Sequence, residues 1–152
     1  MKKNNEKGFS LVELLVVVII IAIVAAIAIP NLLASRRAAN EASAISTLRT
    51  IHSAQATYNA STSPNTYSTG TQLTGLVDTV LNQASFTKSG YDFVMFAQTD
   101  NTTYCMTAKA HTQGSDGVRS FGVGTDGSIK VKANGGIVCG VAGLVTTSDG
   151  PL

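Results

Sequence analysis

The chain has 152 residues, of which 44% are hydrophobic and 13% charged, and its formal net charge is +2. Three of the eleven basic and one of the nine acidic side chains lie in the first eight residues, so eight of each sign follow. This balance excludes a nucleic-acid surface built on bulk charge and leaves only a local basic patch open. The length allows one domain beyond a membrane anchor.

An apolar segment follows the short basic N-terminus. Among the 21 residues from Phe9 to Ile29, the only polar side chains are Ser10 and Glu13. A helix of this length, at about 1.5 Å per residue, spans the hydrocarbon core of a membrane. The lysines before it predict a cytoplasmic N-terminus, with the C-terminal part on the other side. An ordinary single-pass anchor is one interpretation.

The order of these features differs from that of a secretory signal peptide. Such a peptide places its apolar region before the cleavage site, and the region is then discarded. Here the only suitable cleavage point, after Gly8, lies before the apolar region. Cleavage there would remove residues 1–8 as a leader peptide and leave the apolar segment on a mature chain that begins at Phe9.

Glu13 places a carboxylate within a segment of membrane length. Burial of such a group in lipid costs about 2.5–3.5 kcal/mol, so it needs a partner. No basic side chain occurs between Phe9 and Arg36, but cleavage after Gly8 would create a free amine on Phe9. Glu13 lies about one helical turn from that amine, which could belong to its own chain or to a neighbouring subunit. The alternative is a glutamate that merely lies near the membrane interface.

The sequence GFSLVELL at residues 8–15 resembles the processing site of type IV prepilins and of their relatives in type II secretion. The resemblance implies that a prepilin peptidase cleaves after Gly8 and N-methylates Phe9. It implies further partners: an inner-membrane assembly platform, a motor ATPase, minor pilins and other copies of the same chain. It also implies that pairing of Glu13 with the Phe9 amine of another subunit sets the axial register of a growing fibre.

The helix is predicted to continue over residues 31–60 as an amphipathic segment. Apolar side chains recur near helical spacing at Ala38, Ala42, Ile45, Leu48, Ile51 and Tyr58. The more polar surface is predicted to carry Arg36, Arg37, Glu41 and Arg49.

Pro30 separates this amphipathic segment from the membrane segment, residues 9–30. Because proline lacks an N–H and its ring clashes with the carbonyl of Ala26, we expect a kink or a weakened helix there. The resemblance to pilins implies that the helix loosens here when subunits pack into a filament. The alternative is that Pro30 simply marks where the chain leaves the membrane.

Residues 61–152 are predicted to form the globular part. Composition indicates a loop at 61–70, and apolar spacings of three and four predict a short helix over 73–81. From Tyr91 the period changes to two, and the predicted strands are 91–98, 103–111, 117–123 and 128–133. The predicted turns are 99–102, 113–116 and 125–127.

The short connections predict an antiparallel sheet whose apolar face is covered by the amphipathic part of the helix. The fold class is therefore α+β, a long N-terminal helix on a small antiparallel sheet, which resembles the pilin architecture. Cys105 and Cys139 would lie outside the cytoplasm, where disulfides persist. A bond between them would hold a Gly-rich tail, residues 135–150, against the second strand. Two free buried thiols are the alternative.

No combination of residues indicates catalysis, a cofactor or a metal, so an enzyme is not expected. Residues 122–127 match the pattern G-x-G-x-x-G. That pattern binds pyrophosphate only where it joins a strand to a helix, and strand-like residues follow here. His52 and His111 have no ligand spacing and are predicted to be solvated or packed side chains. A pair of Cys105 with His111 could mimic a thiol–imidazole site, but a disulfide removes the nucleophile.

The leading hypothesis is a structural subunit of a type IV pilus, with a precursor in the inner membrane and an extracellular assembled form. Within the same family, the alternative is a type II secretion pseudopilin or a minor pilin. The major pseudopilin typically carries an acidic calcium-binding loop, whereas this chain has only the isolated Asp126 and Asp149 near its C-terminus. From another class, the alternative is a single-pass envelope protein with a soluble binding domain.

Overall fold

The computed structural model describes residues 8–61, 66–97, 101–133, 136–140 and 145–147. The chain divides into two compact units, Met1–Ser35 and Arg36–Leu152. The first unit contains the N-terminal part of one long helix. The second contains the rest of that helix and all the strands. The fold is α+β and pilin-like, as predicted.

Helix α1 runs without interruption over Leu11–Ser61, which is 51 residues. Pro30 lies inside it, so the proline does not end the helix, although its nitrogen cannot donate to the carbonyl of Ala26. Close to this missing backbone hydrogen bond, the Asn31 side-chain amide donates to the Ile27 carbonyl at 3.1 Å. Loosening of the helix at Pro30 on filament formation stays a prediction.

Five antiparallel strands form one sheet, in the spatial order β1-β2-β3-β4-β5. Their bounds are Ser85–Lys88, Tyr91–Ala97, Tyr104–Ala110, Arg119–Gly124 and Ile129–Ala133. The four predicted strands are confirmed as β2 to β5, each within two residues. The sequence did not indicate β1, which pairs with β2 so that Phe86 lies opposite Phe93. These two rings stack with their centroids 4.7 Å apart.

The turns between the strands agree with the prediction where the structure describes them. Gly114 has a φ of 82° and its N–H donates to the Gly117 carbonyl at 2.8 Å. Between β4 and β5, Gly127 has a φ of 70° and its N–H donates to the Gly124 carbonyl at 3.0 Å. The G-x-G-x-x-G match therefore closes a hairpin, as expected. Thr99 and Asp100 of the first predicted turn lie outside the described residues.

The C-terminal segment is more regular than the predicted tail. It contains a second sheet of two antiparallel strands, β6 (Ile137–Cys139) and β7 (Val145–Thr147). Cys139 at the end of β6 forms a disulfide with Cys105 of β3, with 5.8 Å between their Cα atoms. The disulfide is therefore confirmed, and the alternative of two free thiols is wrong.

The hydrophobic core of the second unit lies between α1 and the five-stranded sheet. From the helix it takes Ala44, Leu48, Ile51 and Ala54. From the sheet it takes Phe86, Tyr91, Phe93, Met95, Met106, Ala108, Ala110, Phe121 and Val123. The predicted buried face of the helix was partly wrong, because Ala38 and Ala42 are exposed. The core-facing stripe starts at Glu41, about one turn later, where a charged residue is buried.

The predicted short helix over residues 73–81 is wrong. Two separate turns replace it, one closed by Val77 N–H on the Leu73 carbonyl and the other by Leu81 N–H on the Asp78 carbonyl. Gly75, inside the first of these turns, has a φ of 83°, which an α-helix does not accommodate. Leu73 and Leu81 are nevertheless buried in the core. The helical spacing of Leu73 and Leu81 thus reflects their common burial in the core and not a helix.

Candidate functional site

The candidate processing site lies just before the helix. Gly8, Phe9 and Ser10 precede the first helical residue, Leu11, and the first helical hydrogen bond runs from Leu14 N–H to the Ser10 carbonyl at 3.2 Å. Phe9 is 79% exposed, and no atom lies within 4 Å of a Cβ built on Gly8. The Gly8–Phe9 bond is therefore in an open, non-helical stretch. The residues of the predicted leader before Gly8 lie outside the described residues.

The helix that follows carries an apolar surface on all sides. Every Leu, Ile and Val from Leu11 to Leu33 is between 41% and 80% exposed. Within the part of the chain that the structure describes, α1 is the one helix long and apolar enough to cross a membrane, judged by length and composition. Such a surface is unstable in water, because each large apolar side chain gains roughly 1.5–3 kcal/mol on burial.

Glu13 is the one charged side chain on this surface. It lies in the first turn of α1 and is exposed. A carboxylate near a helix N-terminus is favoured by the partial positive charge of the free backbone N–H groups. Cleavage after Gly8 would add a full positive charge at Phe9, within the same turn of chain. The predicted cleavage point, the amine that cleavage would create and the carboxylate therefore all lie at one end of the helix.

The comparison with family models bears on this end of the chain. Residues 3–29 match the model described as the prokaryotic N-terminal methylation motif. The chain carries the class III signal of type IV pilins. No curated protein and no solved structure matches the chain. The methylation motif contains Gly8, Phe9 and Glu13, and together with the apolar helix it fits an inner-membrane precursor. The individual roles of these residues stay predictions, as does that of Pro30.

In the second unit, the prediction for the charged residue Glu41 was wrong. The residue was predicted on the polar surface, but it is buried and accepts hydrogen bonds from the backbone N–H groups of Val118 (3.0 Å) and Arg119 (3.1 Å). Arg119 Nε donates to its other oxygen at 2.8 Å. Burial by itself raises the pKa of Glu41, but these hydrogen bonds and the Arg119 charge together lower it below its usual value. Glu41 therefore stays ionised and ties α1 to β4.

Tyr91 belongs to the same region. Its hydroxyl donates to the Arg119 carbonyl at 2.8 Å, and burial, with the Glu41 charge, raises its pKa to about 12. A Cβ on Gly117 would clash with this hydroxyl, so only glycine fits there. The group is neutral at physiological pH and stabilises the fold.

The two histidines have partners and are packed or solvated, as predicted. His52 Nδ1 lies 2.6 Å from the hydroxyl of Tyr104, whose own pKa is raised by burial. His111 Nδ1 lies 2.9 Å from Asp92 on the exposed side of β2. Hydrogen bonding to Asp92 and its charge raise the pKa of His111. Among the described residues, no three His, Cys, Asp or Glu side chains cluster as a metal site would require.

An open groove of about 420 Å³ lies along the helix in the second unit. It is lined by Arg49, Thr50, Ser53, Ala54, Thr57 and Leu76. The hydroxyls of Thr50 and Thr57 donate to the carbonyls of Ser46 (3.1 Å) and Ser53 (3.0 Å), so neither is a free donor. The described lining residues include no carboxylate, imidazole or thiol.

Proposed function

We propose that this chain is the structural subunit of a type IV pilus filament. The observation that carries the proposal is the methylation motif at residues 3–29 on a helix whose apolar side chains are exposed. A surface of this kind requires either lipid or other helices around it. The compact unit from Arg36 onwards, with its disulfide, is suited to stay in water outside the membrane.

In the proposed mechanism, prepilin peptidase removes residues 1–8 and methylates the new Phe9 amine. The apolar segment, residues 9–30, rests in the inner membrane and later packs with the same segment of other copies. Residues 31–60 carry the sheet of the globular part, residues 61–152. Repeated head-to-tail contacts that do not close give a helical filament.

Glu13 is proposed to pair with the Phe9 amine of a neighbouring copy during assembly. The support is chemical: the carboxylate lies in the first helical turn, and the apolar segment around it contains no basic side chain. An unpaired carboxylate in an apolar helix bundle is costly, so a subunit in the wrong axial register would be disfavoured. The assembly platform, motor ATPase and minor pilins are the further proposed partners.

Two experiments test the proposal. The first is N-terminal sequencing and mass measurement of the mature chain, which we expect to begin at an N-methylated Phe9. The second is shearing of cells followed by electron microscopy, which we expect to show abundant extracellular filaments made of this chain. Filaments whose subunits retain residues 1–8 would contradict the processing step.

The same experiments separate the alternatives. A processed chain that stays in the envelope without abundant filaments would indicate a pseudopilin or a minor pilin. An unprocessed chain that stays in the membrane would indicate a single-pass envelope protein with a soluble binding domain.

A further inference from the structure

Arg36 and Arg37 form a basic pair on α1 immediately after the exposed apolar surface. Arg36 is exposed and Arg37 is half-buried. The ion pairs among the described residues are Arg119 with Glu41 and His111 with Asp92, so neither Arg36 nor Arg37 has a carboxylate partner there. Arg37 Nε is also shielded from solvent without a hydrogen-bond partner in the described part of the chain.

Among the described residues the pair has no carboxylate partner, and the carboxylate at helical spacing from Arg37 is already used. Glu41 lies four residues after Arg37, a spacing at which oppositely charged helical side chains often pair. Its two oxygens instead accept three hydrogen bonds from Val118 and Arg119. The two guanidinium groups therefore add a local positive charge to a chain that is formally neutral after Gly8.

The position along the helix places this charge at a defined depth. Arg36 follows Leu11 by 25 residues of continuous helix, which is about 38 Å at about 1.5 Å per residue. The hydrocarbon core is about 30 Å thick, and the headgroup regions bring the total to about 40–45 Å. Leu32 and Leu33 just before the pair are exposed apolar side chains that lipid can cover. With Leu11 at the inner edge of the hydrocarbon core, the backbone of Arg36 and Arg37 thus lies about 8 Å beyond the outer edge, and the long arginine side chains reach back from there to the phosphates.

We propose that Arg36 and Arg37 bind the phosphate groups of anionic phospholipids on the outer side of the inner membrane. The inference rests on the membrane-resident form in the proposed function. A guanidinium is suited to this role because its planar set of N–H donors matches phosphate oxygens in pairs. The contact holds the precursor at a fixed depth and is given up when the helix leaves the membrane.

The test uses the full chain in phosphatidylcholine vesicles that contain spin-labelled phosphatidylglycerol or spin-labelled phosphatidylcholine. Electron spin resonance measures the fraction of each labelled lipid held at the protein surface. Each basic side chain near an anionic membrane surface contributes a preference of roughly fivefold. We expect the preference for phosphatidylglycerol to fall by at least about threefold in the double variant Arg36→Gln/Arg37→Gln, and to weaken with added salt.

The matched control is Arg49→Gln, which removes an exposed arginine further along the same helix. Its preference for phosphatidylglycerol is expected to equal that of the unchanged chain. The leader lysines are present in all three chains, so the difference belongs to Arg36 and Arg37. Equal preference in the double variant and the control would overturn the inference. Reduced filament yield without any change in lipid preference would also overturn it, because it would assign the pair to contacts between copies.

Flotation with neutral vesicles separates this inference from the proposed function. A chain that does not float would contradict the membrane-resident form itself. A chain that floats but shows no preference for phosphatidylglycerol would contradict only the lipid contact.

Discussion

Glu41 and Arg119 are 78 residues apart in sequence, yet Glu41 Oε2 lies 2.8 Å from Nε and 2.6 Å from Nη2 of the arginine. The pair is asymmetric, since the Glu41 side chain is 9% exposed and that of Arg119 is 53% exposed. Water therefore solvates one partner and is excluded from the other. The contact fixes the position of α1 on β4, because the buried Glu41 carboxylate has few other partners to bind.

We expect Glu41→Gln to lower the free energy of unfolding by about 1–3 kcal/mol. The amide still accepts from the backbone but loses the charge that Arg119 neutralises, and solvent around Arg119 limits the loss. Chemical denaturation of the full chain in detergent micelles, followed by near-ultraviolet circular dichroism, measures the change. Arg49→Gln serves as the exposed control and is expected to change stability by less than about 0.5 kcal/mol. A change in Glu41→Gln no larger than in this control would contradict the role of the pair.

The lowered pKa of Glu41 predicts a pH dependence of stability. Its carboxyl titrates at lower pH in the folded chain than in the unfolded chain. Its contribution is therefore fully present above the unfolded pKa of about 4.3 and is lost as the pH falls through the folded value. We expect this acid loss to be shallower in Glu41→Gln than in the unchanged chain. Parallel stability curves for the two chains below about pH 5 would show that Glu41 does not contribute.

Gly127 and Gly75 form a matched pair of glycines with positive φ, at 70° and 83°. A Cβ on Gly127 would lie 2.7 Å from His52 Nε2, whereas nothing lies within 4 Å at Gly75. We expect Gly75→Ala to cost about 1 kcal/mol of backbone strain. Gly127→Ala is expected to cost a further 1–2 kcal/mol or so, because the imidazole is held by Tyr104 and cannot move freely.

Thermal unfolding of the two variants in the same micelles measures this difference. Near-ultraviolet circular dichroism of the tyrosines gives a second measurement, since only Gly127→Ala displaces a ring next to Tyr104. Equal stability losses in the two variants would show that His52 adapts at no cost.

The disulfide closes a loop with a sequence separation of 34. In the chain-entropy model this closure stabilises the fold by about 3–4 kcal/mol. We expect Cys139→Ser to lower the unfolding midpoint and to release β6, while α1 and the five-stranded sheet persist. The double variant Cys105→Ser/Cys139→Ser controls for a stray thiol and is expected to behave like the single variant. Unchanged unfolding of the single variant would contradict the stabilising role.

Glu13→Val separates the filament subunit from a plain anchor. The variant is expected to insert at least as well, because an expensive carboxylate has been removed from lipid. Filament yield, measured by shearing at equal membrane levels, is nevertheless expected to fall well below that of the unchanged chain, because the Phe9 amine loses its counter-charge. Ser10→Ala is the control, which removes the other polar side chain of the segment and leaves the charge. Equal filament yields for Glu13→Val and Ser10→Ala would remove Glu13 from assembly.

The sequence predicted the elements whose pattern is local. Alternating side chains predicted β2 to β5, and the uninterrupted apolar run followed by an amphipathic stretch predicted α1. The methylation motif was also readable, because Gly8, Phe9 and Glu13 lie directly before and at the start of the apolar segment. The individual roles of these residues stay predictions. For Cys105 and Cys139, the sequence left a disulfide and two free thiols as alternatives. The structure shows the disulfide, with 5.8 Å between the two Cα atoms.

The features that depend on distant partners were not predicted. The local sequence predicts Glu41 to be a surface charge. Its contact with Arg119 of β4 joins residues far apart in the chain, and no local pattern indicates it. β1 has only four residues, and its pairing with β2 decides its conformation. The spacing of Leu73 and Leu81 could not reveal that Gly75 takes a positive φ between them. In each case the tertiary contact or the backbone geometry outweighed the local pattern.

The exposed apolar surface from Leu11 to Leu33 also bears on the energy of moving the chain. Lipid tails and the side chains of neighbouring helices are about equally apolar. Replacing contact with lipid by contact with other helices therefore changes the hydrophobic free energy little. The hydrophobic effect therefore forbids exposure to water but does not set the direction of transfer. In the proposed function, direction comes from polar pairing at Glu13 and from external work. For such a subunit, withdrawal from the membrane and return to it would differ little in hydrophobic free energy.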